Sequence, residues 1–180
     1  MAFTHPWGAY SVEGSLNEWF RVNLTAAGVP AWMPSARVVF DYAEQPLIQG
    51  HSGATFALTH LGAPEVIEAF QGRYVGAATA GAMVENLLRI DCWISKQQAG
   101  GAYMARSRQM GDMVSYLFTS AHSVIITNVY TGGAAPTGIG SLIHFGNIRD
   151  AGTVNPDPNN PDLFRRGFIV PYRWVEKVAR

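Results

Sequence analysis

The stretch Leu87-Leu88-Arg89-Ile90-Asp91-Cys92-Trp93-Ile94-Ser95 decides the fold class. Successive side chains of an extended chain point to opposite faces, so Leu88, Ile90, Cys92 and Ile94 share one side and Arg89, Asp91, Trp93 and Ser95 the other. This pattern predicts a strand with one face in the core and the other half-wetted. Trp93, on the half-wet side, is then covered by a further helix or by another subunit, because aromatic side chains both fill cores and anchor interfaces.

Working upstream, residues 61–86 turn to Gly, Ala and Thr (GRYVGAATAGAM, 72–83) and offer few large side chains to bury. They predict a long hairpin or a mobile excursion. Arg73 and Tyr74 lie within it, either at an ordinary hairpin tip or on an exposed contact loop. Together with Trp93 they are the candidate interface residues. Residues 54–60 (ATFALTH) and 36–41 (ARVVFD) are short and alternating or β-branched, which predicts two strands of the same sheet. Further upstream, Ser15, Leu16, Asn17 and Glu18 match a capping box. Leu16, Trp19, Phe20, Leu24 and Ala27 then recur at helical spacing until Gly28 and Pro30 stop the helix. A start near Ser11 is the alternative, weakened by Gly14.

Downstream, the Gly100-Gly101 break precedes a second helical stripe of Tyr103, Arg106, Met110, Met113, Val114 and Leu117, with Arg108 and Asp112 pointing away. Gly111 within it costs ~1 kcal/mol relative to Ala. Residues 123–130 (SVIITNVY) predict a strand, 131–140 (TGGAAPTGIG) a loop, and 142–148 another strand. The prolines, asparagines and aspartates of 150–162 predict a stiff, polar, exposed connection. In the following strand Phe168, Val170, Tyr172 and Trp174 alternate with Ile169, Pro171, Arg173 and Val175, and Pro171 should place it at an edge or bulge. Helix, strands, helix, strands is an α+β order: a mixed, mainly antiparallel sheet packed on two helices. One domain over 1–180 is expected, with an N-terminal arm at 1–10 and loop excursions at 62–86, 131–140 and 150–162.

Charged residues make up 14% of the chain against a typical ~25%, and 13 basic residues balance 13 acidic ones. Such a surface carries no excess of Lys and Arg for nucleic acid or an anionic membrane, and it resists self-association poorly. It suits a chain that spends much of its surface on protein contacts. The apolar content of 48% excludes disorder as the overall state. A single cysteine, Cys92, excludes an internal disulfide and a Cys-based zinc site, and it points to a reducing compartment. Residues 1–10 lack the features of a secretory signal, and no apolar run is long enough to span a membrane as a helix.

Motifs for chemistry are incomplete. Gly50, His51, Ser52, Gly53 and Ala54 approach a nucleophile elbow, but Ala54 stands at the final glycine and a strand pattern follows where a helix is needed. A polar inter-strand loop is the simpler reading; a small serine hydrolase using Ser52 and one histidine is the enzymatic alternative. Gly138 and Gly140 begin a dinucleotide fingerprint that meets Ile143 at the third glycine. His5, His51, His60, His122 and His144 fall at no ligand spacing and are expected at the surface or at strand ends. Asp157, Asn159 and Asp162 lack the glycine and glutamate of a calcium loop. No catalytic, cofactor-binding or metal residue is therefore expected. A module for a small apolar ligand, lined by Met110, Met113 and aromatics, is a further alternative.

The N-terminal helix ending in Gly28-Val29-Pro30, the strand Arg37-Val38-Val39-Phe40-Asp41, the strand Ile90-Asp91-Cys92-Trp93, the Arg- and Met-rich helix and the closing Val170-Pro171-Tyr172-Arg173-Trp174-Val175-Glu176-Lys177 together resemble the tail terminator, or tail completion, proteins of long-tailed bacteriophages. The resemblance spans residues 11–177 and lies in the pattern of elements, with no catalytic signature. It implies a structural virion subunit, assembled in the host cytoplasm, that forms a ring, expected to be a hexamer. That ring would cap the head-proximal end of the tail tube, stop its polymerisation and offer a joining surface to the head. The partners it implies are further copies of the chain, the tail tube protein and a head-tail connector, with DNA passing through the lumen without specific binding. A connector or neck ring is the sibling role. The segments 62–83, 131–140 and 150–162 look longer than in compact members of the family, so no ring contact carries over.

Overall fold

The computed structural model describes residues 9–26, 30, 32–33, 37–40, 54–71, 79–96, 102–126, 142–154 and 162–179. Its elements follow in the order α1 (Ala9–Ala26), β1 (Arg37–Phe40), β2 (Thr55–Gln71), β3 (Thr79–Ser95), α2 (Tyr103–Ser120), β4 (Ser123–Ile125), β5 (Leu142–Phe145), β6 (Arg149–Val154) and β7 (Leu163–Ala179). The class is α+β. Seven strands form one mixed sheet in the order β1-β2-β3-β7-β5-β4, with β6 also on β7. β1 and β2 run parallel and every other pairing is antiparallel.

β3 is the middle of this sheet. It pairs with β7 without a break from Thr79↔Ala179 to Ser95↔Leu163, and with β2 from Thr55↔Trp93 to Gln71↔Ala80. The alternation seen in residues 87–95 therefore passes to both neighbours. Leu88, Ile90, Cys92 and Ile94 share the helix-covered face with Phe56 and Leu58 of β2 and with Phe164, Phe168, Val170, Tyr172 and Trp174 of β7, all buried. The helices close this face through Val12, Leu16, Phe20 and Leu24 of α1 and Met110, Val114, Leu117 and Phe118 of α2. Phe20 meets Phe56 edge-on at 5.9 Å, and Trp19 meets Phe118 at 5.2 Å and Phe145 at 5.3 Å, so aromatic rings tie both helices to the sheet.

Of the two readings of residues 61–86, the described parts, 62–71 and 79–86, take the hairpin: they are its two arms, held by backbone pairing between β2 and β3. Other sequence expectations change. Residues 150–154 belong to β6 rather than to a polar connection, with Gly152 at φ 94 where the ladder on β7 shifts register. The capping box does not form. α1 begins six residues before Ser15, whose Oγ donates to Ser11 O at 2.6 Å from inside the helix, while Glu18 turns to Arg21. The buried Val12 and Ser11 explain the longer helix: tertiary packing outweighs the Gly14 penalty.

Pro171 was expected at an edge or bulge, yet β7 lies inside the sheet, between β3 and the β5 and β6 strands. The missing N–H is accommodated locally. Pro171 stands opposite Leu87 with its carbonyl accepting from Gly146 N at 2.8 Å, which directs its nitrogen into the gap between β5 and β6. The α2 stripe is also rotated relative to the expected one. Ser107, Met110, Gly111, Val114, Leu117 and Phe118 are buried, because Gly111 lets the helix settle close to β7. The 131–140 excursion lies outside the described residues.

A Cβ built on Gly111 would lie 2.8 Å from Arg166 Nη1 and 2.9 Å from Phe168 Cζ. The guanidinium can swing away; the core ring cannot. Helix propensity alone favours Gly111→Ala by ~1 kcal/mol, but the overpacking cost of about 1–3 kcal/mol outweighs it. Gly111→Ala is expected to lower the thermal midpoint, measured by circular dichroism; an increase would show that helix and sheet separate freely.

Candidate functional site

Trp93 is 7% exposed within the single chain. Its described neighbours are Ala57 and Leu163, with Val39 packed beside them, and the Arg165 guanidinium lies 5.4 Å from the ring centroid. Within the single chain the ring is thus covered largely by neighbouring strands of its own sheet, Ala57 of β2 and Leu163 of β7. Arg73, Tyr74 and Ser52 lie outside the described residues. Met110 sits in the main core.

On the same sheet face, Asp91 takes Arg89 Nε at 2.9 Å and lies 3.8 Å from Arg165 Nε. Asp150 accepts from Arg166 Nε and Nη2 at 3.2 and 2.8 Å and from Gly152 N at 2.8 Å. Partial burial pushes the Asp150 carboxyl up, but these hydrogen bonds outweigh it and hold it below its usual range. Both clusters compensate charge within the sheet, and Arg166 also lines a cleft of about 360 Å³ with Met104, Ser107, Arg108, Asp112 and Thr153. Cys92 is fully buried; desolvation, reinforced by Asp91, pushes its thiol far above the usual range. It is expected to resist alkylation at pH 8 in the folded protein and to react only on unfolding, as counted by mass spectrometry with and without denaturant.

His60, expected at a surface or strand end, instead stands mid-strand on β2 under α1. Nε2 is 3.1 Å from Asn17 Oδ1 and Nδ1 is 2.9 Å from the Tyr172 hydroxyl. With Nε2–H donating to Asn17, Nδ1 is left to accept from the tyrosine, and a neutral imidazole suits both partners. Burial pushes the Tyr172 hydroxyl up, Glu13 adds to this and Asn86 opposes it, so the phenol stays protonated and remains a donor. This network fixes α1 on the sheet. Tyr172→Phe removes the donor to His60 and should cost about 1–3 kcal/mol of unfolding free energy; a denaturant titration that shows no loss would mean that water replaces the hydroxyl.

Two further described surface features lie at the two sides of the sheet. Across its middle, residues in register form the row Glu65 (β2), Glu85 (β3), Arg173 (β7), His144 (β5) and Ser123 (β4). β1 flanks β2 from Thr55 to Leu58, and among the described residues the outer edge of β2 beyond that point has no strand partner. The same holds for the outer edge of β4. β2 is irregular here, with Gly62 at φ 75 and register shifts between Leu61 and Glu65 and between Val66 and Glu68. Asn86 Oδ1 accepts Leu87 N at 2.8 Å beside the first shift and replaces a lost ladder bond. The second shift leaves Val66 and Ile67 exposed at 58% and 53%.

Beside β4 the surface is concave. Gly14, Ser15, Glu18, Trp19, Val22 and Asn23 of α1 face residues 123–125 across a mainly apolar groove of about 520 Å³. Gly14, a liability for the helix in the sequence reading, leaves room at its wall. Glu18 and Arg21 close a bidentate pair at 2.8 and 2.6 Å, so the rim is locally neutral. Sequence reasoning missed this groove, since β4 meets α1 more than a hundred residues away in the chain. Among the described residues no three His, Cys, Asp or Glu are grouped to hold a metal ion, and no helix is long and apolar enough to cross a membrane. Neither models of known protein families nor curated protein sequences match the chain.

Proposed function

We propose that the chain is a structural virion protein whose copies form a ring, taken as six-membered, that caps the head-proximal end of a phage tail tube and offers the joining surface to the head. One observation carries this reading. The five-stranded row through Glu65 and Ser123 ends in two unlike edges, irregular and aliphatic at β2 and grooved at β4. Unlike surfaces on opposite sides of a subunit favour head-to-tail contacts, and such contacts close into a ring when the rotation permits. The low charge fits a subunit that meets protein on several sides. The resemblance of the element order to tail terminators supports a ring at the end of a tail tube.

Ending a tube requires no bond chemistry. A growing tube templates the next ring with its end surface; a cap that matches that end and presents a different outer face removes the template. The subunit's partners in this reading are its own copies, the tube protein and a connector.

Light scattering across a concentration series is expected to show a species of ~118 kDa, six times the 19.6 kDa chain, as a closed cyclic assembly requires. Negative-stain images should show a central hole, and the rings should co-sediment with tail tubes. A chain that stays monomeric or dimeric at every concentration and ignores tubes overturns the reading, while rings that bind neck components but not tubes reassign it to a connector.

A further inference from the structure

Eight large apolar side chains stand out as exposed among the described residues, and four of them fall at the two sheet edges: Val66 and Ile67 on β2, Val22 and Ile125 at the groove. The faces agree as well. Val66 is in register with Val84, which is buried on the helix-covered face, so Val66 projects on that face beyond the reach of either helix. The groove opens on the same face, between α1 and the edge strand β4. Within one chain these two features lie at opposite sides of the sheet, with β3, β7 and β5 between them.

Charge follows the same polarity. Glu65 stands directly opposite Glu85, and like charges opposed across strands repel. Toward β4 the row carries Arg173 and His144 instead, with His122 exposed next to the strand. A second copy that brings its β2 edge to β4 sets Glu65 near the basic side of the row and away from net repulsion.

We propose that the α1–β4 groove is the receptor for the β2 edge of a neighbouring copy, with Val66 seated against Val22 and Trp19 on the helix-covered face and Glu65 directed toward His144 on the opposite face. This rests on the ring reading and adds the contact that builds the ring. The occupant is a second copy because the chain itself carries the complement of the groove: the exposed Val66 on the matching face, at the matching level of the sheet, with Glu65 beside it to meet the basic side of the row. The irregularity of β2 makes the contact selective. Its register shifts confine docking to the short stretch around Val66 and prevent open-ended strand addition.

The test mixes two single variants, Val66→Cys and Val22→Cys, both at exposed positions where folding tolerates the change, and treats the assembled protein with a short bismaleimide. Cys92 does not compete, being buried with its thiol protonated. Cross-linked pairs of twice the chain mass should form in the mixture at least ~10-fold more than in either variant alone, because a head-to-tail contact joins unlike positions. Val66→Glu should move the chain from assembly to monomer at concentrations where the wild type is assembled. Assemblies of ring mass that give no excess of mixed cross-links, or that survive Val66→Glu, overturn this contact and leave the ring standing. Absence of any assembly in the wild type overturns the ring and the contact together.

Discussion

The pairing of β3 on both edges, with β7 over its whole length and with β2 from Ala80 to Trp93, is the constraint from which the rest follows. A strand bonded on both sides cannot slip by one residue without turning Leu88, Ile90, Cys92 and Ile94 outward, and each of its neighbours would have to slip with it. Its parity thus becomes the parity of β2 and β7. The helix-covered face of three 17-residue strands is set at one stroke, and α1 and α2 need only lay their apolar stripes against it.

This explains which parts of the fold were legible in the sequence. Residues 87–95 carried a clean two-residue period, and residues 168–175 repeated it, because both strands have one fully buried face; the α+β class follows from them and from the helical stripe at Leu16, Phe20 and Leu24. The hairpin at 62–86 was one of two readings the sequence offered, beside a mobile excursion; its small residues at 72–83 could not decide between them, and pairing of the arms by backbone bonds does. The start of α1 was misplaced for a related reason: a capping box is a local signal, while the extra turns are fixed by burying Ser11 and Val12.

The candidate site was less legible than the fold. Trp93 was singled out for its place on the half-wet strand face, but Arg165 and Leu163, seventy residues later in the chain, take up that place. The groove combines α1 with β4, and neither segment alone announces it. Val66 and Ile67 sat inside a stretch that read as a hairpin or an excursion, so their exposure carried no meaning until β2 gave them a face. Surfaces of this kind depend on tertiary neighbours, whereas catalytic motifs are recognisable because spacing itself encodes their geometry.

The long-range closure of the sheet has a consequence for biosynthesis. β3 and β7 partners are 68 residues apart at Ser95 and Leu163 and 100 apart at Thr79 and Ala179. A ribosome therefore releases the β2–β3 hairpin well before the strand that covers its inner edge exists. Contacts this distant in sequence make for slow closure, and an unpaired strand edge is sticky while it waits. The small residues that open β3, Thr79 to Ala82, then have a second use: they keep that part of the waiting edge poor in apolar side chains, so that it lingers without recruiting its neighbours.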